Sequence, residues 1–214
     1  MQNSFEINGS EFHLNGKPFV IHAGEMHPSR IPKEYWEHRI QMSAAMGLNT
    51  ISIYSFWNIH EPKPNEFDFG GWANVAEFVR LVQKHGMCAI IRPGPYCCAE
   101  WDLGGLPAWL LKSKTIRMRC NDSEYLQYVT RYLKIYLSEL NALQIHKGGP
   151  ILMFQLENEY GSYGRDKEYL KKLKQVYEEE GISVPLFTSD GGTRYYLKFS
   201  QLEIIKSFFK LHSI

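Results

Sequence analysis

An apolar run that ends in acids is the most informative stretch of this chain. In GGPILMFQLENEYGSYG (148–164), Ile151, Leu152, Met153 and Phe154 read as the middle of a buried strand. Gln155, Glu157 and Glu159 follow at every second position, with Asn158 between the acids. Side chains of a strand alternate faces, so a strand running through this segment points those three polar groups to one side. Burying carboxylates is costly unless they are paired or hydrogen-bonded. At a strand end, residues of these types suit proton transfer to and from a reacting oxygen.

Other polar groups fall just after apolar runs: Glu25 and His27, Tyr54 and Asn58, Arg92 and Glu100, and Asp190. Aromatics stand beside Gly, Pro, Asn and Glu in YSFWNIHEP (54–62) and AEWDLGG (99–105). Most of the 13 Tyr, 12 Phe and 5 Trp are core residues, but rings in such loops also suit the C–H face of a pyranose. Two carboxylates flanking a sugar are the usual equipment for cleaving a glycosidic bond. One protonates the leaving oxygen, and the other attacks the anomeric carbon or activates water. Glu159 fits the protonating role, kept neutral by partial desolvation. Asn158 suits the sugar 2-hydroxyl, and Glu157 reads as a structural acid held by an Arg, His or Tyr partner.

Competing chemistries have less behind them. Cys98 as a nucleophile needs a nearby imidazole and a lowered pKa, and nothing local supplies either. A cysteine-dependent hydrolase would be stopped by thiol reagents and would survive Glu159→Gln. His27 and His60 lack a partner at zinc-ligand spacing, and His60-Glu61-Pro62 reads as a structural loop. Arg92 is placed as a holder of Glu157 or another buried acid. Asp190 is a possible contact from the fifth strand.

Composition sets the frame. The 214 residues allow one sizeable core, and 44% apolar with 22% charged residues is an ordinary globular balance. A net charge of +1 gives no reason to expect nucleic acid or an acidic membrane as partner. The N-terminus shows no basic segment followed by an apolar stretch, and no run of about 18 apolar residues exists. Cys88, Cys97, Cys98 and Cys120 lack paired CxxC spacing and read as reduced thiols. The expected location is cytoplasmic, or periplasmic or secreted if a signal has been removed.

The elements that position these groups alternate. FVIHA (19–23), NTISIYSF (49–56), MCAIIR (87–92), PILMFQLENE (150–159) and VPLFTSD (184–190) read as strands. Helical patterns follow from Pro32 to Gly47, from Gly71 to Gly86, after Asp122-Ser123, and over DKEYLKKLKQVYEEEG (166–181). Tyr125, Val129, Tyr132, Leu133, Tyr136 and Leu140 form an apolar stripe that reads as core. Such alternation predicts an α/β fold with a parallel sheet. Polar groups after many different strands, and no GxGxxG or GxxxxGK[ST], favour a (β/α)8 TIM barrel over an open sheet. About five of eight βα units are recognisable in residues 1–192. Residues 193–214 change character and read as a divergent tail, so the barrel is expected to be incomplete.

At this point GGPILMFQLENEYGSYG resembles the signature of glycoside hydrolase family 35, the β-galactosidases with a (β/α)8 catalytic barrel. WNIHEP (57–62), RPGPYCCAEW (92–101), GGLPAWL (104–110) and LFTSDG (186–191) match that family in the right order, over about residues 10 to 192. The resemblance implies that Glu159 is the general acid/base, with Asn158 as its sugar-binding neighbour. It implies that Tyr54 lines the galactose pocket and that Cys98, Ala99 and Glu100 hold galactose hydroxyls, Glu100 by its carboxylate and the others partly by backbone. No metal or organic cofactor is implied. The family retains anomeric configuration, which requires a nucleophilic Glu on a later strand, and no residue here matches it.

The function expected is therefore that of a retaining exo-β-galactosidase acting on terminal β-D-galactosyl residues. A barrel glycosidase with another sugar preference is the near alternative. This chain by itself is expected to be inactive, as a truncated remnant or weak galactose-binding fragment. Unfinished barrel edges would favour self-association.

Overall fold

The computed structural model describes residues 3–190 together with the backbone of 206–207. A small antiparallel sheet comes first: β1 (Phe5–Asn8), β2 (Glu11–Leu14) and β3 (Lys17–Phe19), in that order. Its turns carry Gly9, Asn15 and Gly16 at positive φ, the left-handed backbone that Gly and Asn adopt most readily in tight hairpins. Phe5 and Phe12 stack across β1 and β2 and join the main core.

The main sheet is parallel. Its strands are β4 (Ala23–Met26), β5 (Thr50–Tyr54), β6 (Cys88–Arg92), β7 (Ile151–Gln155), β8 (Leu186–Thr188) and the two-residue β9 (Lys206–Ser207). They lie side by side in chain order, with no reversal. An open doubly wound sheet reverses its order at the point where it binds ligand; an α/β barrel does not. The sheet therefore fits part of an α/β barrel.

One expectation needs correcting here. Phe19–Ala23 is not the first barrel strand: Phe19 closes β3, and β4 begins at Ala23. The apolar pattern misleads because β4 reads AGEM, with an exposed Glu25 and a Gly24 whose missing Cβ admits the Leu48 side chain. In the segment read as a divergent tail, Lys206–Ser207 pair alongside β8. Two residues are too few to leave a pattern. The boundary at 192 and the rest of the tail lie outside the described residues.

The helices that cover the sheet are α1 (Trp36–Ala45), the single turn α2 (Trp57–His60), α3 (Val75–Lys84), α4 (Ser123–Leu140), the single turn α5 (Tyr160–Tyr163) and α6 (Lys167–Glu179). Asn74, Asp122 and Asp166 cap α3, α4 and α6 by accepting backbone N–H groups of the first turn. The buried stripe of α4 packs against the sheet, and three buried tyrosines also tie down strand ends. Tyr132 donates to the Pro93 carbonyl at 3.0 Å, Tyr136 to Ser55 Oγ at 2.7 Å, and Tyr177 of α6 to the Gln155 carbonyl at 3.1 Å. Each full burial of such a ring is worth about 1.5–3 kcal/mol, and each phenol keeps a partner. The same side chains thus make the core and fix the C-terminal ends of β5, β6 and β7.

Candidate active site

Those strand ends hold the chemistry. Tyr54 closes β5 and Arg92 closes β6, paired in register, with the guanidinium 3.9 Å from the centre of the phenol ring. Gln155 closes β7. Arg92 bonds the Gln155 side-chain oxygen through Nε, Glu25 Oε2 through Nη1 at 3.2 Å, and Asn158 Oδ1 through Nη2 at 3.1 Å. Glu25 in turn binds His27 Nε2 at 2.8 Å. Arg92 thus joins the ends of three strands to the acid-rich loop; of the acids it was expected to hold, Glu157 or another buried one, it holds neither, and its carboxylate partner is the exposed Glu25. Burial pushes the Tyr54 phenol well above its ordinary pKa, with Arg92 opposing, so it stands as a neutral donor.

Glu157 belongs to Arg119, which the sequence did not single out. Arg119 donates from Nε to Glu157 Oε1 at 3.0 Å and from Nη2 to Oε2 at 2.9 Å, and Nη2 also reaches the Asn158 carbonyl at 2.7 Å. Tyr169 of α6 adds its hydroxyl to Oε1 at 2.9 Å, and the Asn158 N–H donates to Oε2 at 2.7 Å. The guanidinium lies between the rings of Tyr96 and Tyr163, 3.8 and 4.0 Å from their centres. Burial disfavours its charge, but the Glu157 carboxylate outweighs that and holds the Arg119 pKa above its ordinary value. Nothing in the local sequence IRMRCND marks this arginine, because its partners come from residues 96, 157, 158 and 163.

The strand alternation foreseen for Gln155, Glu157 and Glu159 does not occur. β7 stops at Gln155, and Glu157 and Glu159 both have left-handed backbone, with φ of 59° and 49°. Such a conformation costs a residue with a Cβ about 1–3 kcal/mol. Its effect is to turn Glu157 inward, 1% exposed under Arg119, and to leave Glu159 exposed at the mouth rather than desolvated. The Glu159 N–H is pinned to the Ser189 carbonyl after β8 at 2.8 Å, and its carbonyl accepts from Ser162 at 3.0 Å.

Asn158 sits between them, buried. Its Oδ1 accepts from Arg92 and, at 3.0 Å, from Gln155 Nε2. With two donors facing the oxygen, the amide orientation is set by the network, and the Nδ2 hydrogens are the ones left to offer elsewhere. Asp190 is buried too, and accepts from the Gly161 N–H at 2.7 Å, so it braces α5.

Cys98, Ala99 and Glu100 lie in the loop after β6, and all three have left-handed backbone, with φ of 60°, 55° and 45°. The Cys98 carbonyl accepts from the Trp101 N–H, closing a left-handed turn. Ala99 packs on the cluster of Tyr54, Phe56 and Cys97, where Phe56 and Trp101 stack at 4.4 Å and Trp101 donates to Asn58 Oδ1 at 3.0 Å. Glu100 is exposed, and Cys98 is half-buried. The Glu159 charge is felt by Tyr54, Arg92 and Tyr96 alike. The structure thus brings Tyr54, Asn158 and Glu159 to the C-terminal ends of the strands, with the Cys98–Glu100 turn in the loop that follows β6.

His60 and Glu61 stand apart from it. Glu61 is fully buried and binds Trp57 Nε1 at 2.7 Å, the Asn65 N–H at 2.9 Å and Arg131. His60 stacks on Phe69, and burial lowers its pKa to about 4. Cys97 is buried, with its thiol on the Ser55 carbonyl, and burial raises its pKa strongly. Among the described residues no cluster of three His, Cys, Asp or Glu side chains is placed to hold a metal ion. No helix of the described residues is long and apolar enough to cross a membrane.

Comparison with known proteins adds what the geometry cannot. The model of the family described as "Glycosyl hydrolases family 35" matches residues 11–210. A β-galactosidase of Xanthomonas manihotis is 43% identical over 189 residues, covering 88% of this chain and 32% of that protein. The human β-galactosidase is 42% identical over 206 residues, covering 94% of this chain and 30% of that protein. The chain thus spans about a third of the length of the curated relatives it matches. Among solved structures, an exo-β-1,4-mannosidase from Opitutaceae bacterium strain TAV5 superposes with a TM-score of 0.64 at 18% identity, covering 81% of this chain and 32% of that one. A GH5_18 protein from Streptomyces cattleya in complex with GlcNAc has the same TM-score at 13% identity, covering 80% and 44%. At those identities the structural likeness speaks for the fold. The match of residues 11–210, nearly the whole of this chain, to the family model shows that it belongs to glycosyl hydrolases family 35.

Proposed function

We propose that this chain forms the front part of the catalytic barrel of a retaining exo-β-galactosidase, in which Glu159 is the general acid/base. The observation that carries the reading is the pairing of a buried, network-oriented Asn158 with a solvent-facing Glu159 at the mouth of the sheet. Asn158 Nδ2 donates to the sugar 2-hydroxyl, a contact that strengthens as the anomeric carbon becomes cationic. Glu159 protonates the leaving oxygen and then deprotonates the incoming water. The neutral Tyr54 phenol and the Cys98–Glu100 turn bind galactose hydroxyls, Glu100 through its carboxylate.

The second carboxylate does not come from the described residues. Glu157 is neutralised by Arg119, Glu25 is held by Arg92 and His27, and Asp190 braces α5. With no residue matched to the family's nucleophile, the polypeptide of residues 1–214 alone is read as binding galactose weakly without turning substrate over.

Two measurements on that polypeptide test the reading. Galactose should shift the backbone amide resonances of Cys98, Ala99 and Glu100 and the side-chain amide of Asn158, while aryl β-galactoside is not cleaved. Galactose that leaves those resonances unmoved in a folded chain would remove the site assignment. Turnover lost on Glu159→Gln would show that a nucleophile is present after all.

A further inference from the structure

We infer that Arg30 is a positioning residue for the sugar site, clamping the left-handed Cys98–Glu100 turn from behind. The inference rests on the reading of that turn as a galactose-binding element. Arg30 follows β4, far in sequence from the turn. Its Nη2 donates to the Ala99 carbonyl at 2.6 Å and to the Glu100 carbonyl at 2.8 Å. The guanidinium also lies 5.0 Å from the centre of the Trp101 ring and 5.7 Å from that of Phe56, the two rings that stack against each other.

The turn needs such a clamp. Three successive residues with side chains hold left-handed backbone, and each is strained there. In a helical turn of either hand the carbonyls point one way along the axis and the N–H groups the other. The Cys98 carbonyl is taken by the Trp101 N–H, so the next two carbonyls would be left to water at the open end of the turn. Arg30 donates to both from one nitrogen. A cation at the carbonyl end is also the favourable electrostatic placement. The N–H groups of Cys98, Ala99 and Glu100 then present their positive end away from Arg30, in the orientation that suits hydroxyl oxygens. Arg30 itself touches no sugar in this arrangement. It sets the conformation in which the turn can.

Arg30 ties the first strand of the parallel sheet to the loop of the third. The Phe56–Trp101 stack, with Trp101 bonded to Asn58, adds the second. The turn's shape is thereby set by three separate segments, none of which carries the acid/base.

Cys98 supplies a readout that does not depend on turnover, because its half-buried thiol sits within the turn. The experiment measures the rate of Cys98 alkylation by iodoacetamide, read peptide by peptide with Cys120 as internal reference, with and without galactose. It is run on the whole chain and on Arg30→Gln and Arg30→Lys, alongside each unfolding midpoint. Arg30→Gln should speed Cys98 alkylation about tenfold relative to Cys120 and weaken galactose protection by a similar factor, as loss of charge-assisted bonds implies. The unfolding midpoint should stay near that of the unmodified chain, and Arg30→Lys should recover part of both effects through one retained bond. An unchanged Cys98 rate in Arg30→Gln would overturn the clamp, as would faster alkylation of Cys98 and Cys120 together. If galactose protects Cys98 in no variant while Arg30→Gln still frees it, the clamp stands and the sugar-binding reading of the turn fails.

Discussion

Arg119 and Glu157, 38 positions apart in the chain, meet as a two-toothed ion pair in which both oxygens and both nitrogens are buried. The pair is what allows two left-handed acids in a row of three. It draws Glu157 inward and fixes the Asn158 carbonyl, and so delivers Glu159 to the mouth. The carboxylate proposed as acid/base is here aimed by the burial of another one.

Removing one partner of such a pair leaves a charge buried without compensation. Arg119→Met should therefore lower the free energy of unfolding by about 3–5 kcal/mol, measured by urea denaturation. Arg119→Lys should recover little of it, because an ammonium cannot bond both oxygens in the plane between two tyrosine rings. A loss below about 1 kcal/mol, the range of an exposed pair, would mean that the bridge is not what holds the loop.

His60 gives stability a pH dependence between its folded and unfolded pKa values. Burial lowers its pKa to about 4 in the folded chain from an ordinary 6.5. Between those two values the unfolded state binds the proton and the folded state does not. Stability from this residue is therefore complete above pH 6.5 and declines as pH falls towards 4. From pH 7 to pH 5 the loss should be about 2 kcal/mol. His60→Phe keeps the ring against Phe69 and Tyr136 and should flatten that part of the profile. An identical slope in the variant would assign the dependence to other groups.

Gly104 has a specific reason to be glycine. Its φ is +62°, and a Cβ there would stand 2.0 Å from the Tyr96 ring. Tyr96 is one of the two rings that enclose Arg119. Gly104→Ala should cost about 2 kcal/mol or more through backbone strain and overpacking, read by urea denaturation. It should also disturb the amide resonances of Glu157 and Asn158. A neutral substitution with unmoved resonances would separate Tyr96 from the acid loop.

Most of the frame that positions the site was legible in the sequence. Strands β5 to β8 announced themselves as short apolar runs, and Asp122 before Ser123 gave the start of α4. Polar residues after each run located the mouth. What was missed is local structure that alternation and motif order do not encode. The hairpins of the N-terminal sheet rest on Asn8-Gly9 and Asn15-Gly16, ordinary turn pairs flanked by strands too mixed in polarity to stand out. Left-handed backbone at Glu157 and Glu159 left no trace, because only the fold, through Arg119, makes it tolerable. Arg30 and Arg119 were invisible for the same reason: each acts on residues dozens of positions away.

The central claim is that Glu159 moves the proton in β-galactoside hydrolysis. The direct measurement joins residues 1–190 of this chain to the remainder of the Xanthomonas manihotis β-galactosidase and follows hydrolysis of lactose and of an aryl β-galactoside with an acidic phenol. The chimera should cleave both. Glu159→Gln should slow lactose by about 100-fold or more while sparing formation of the glycosyl-enzyme from the aryl substrate, whose leaving group needs no proton. Equal slowing of glycosyl-enzyme formation from both substrates, or no loss on lactose in an active chimera, would contradict the assignment.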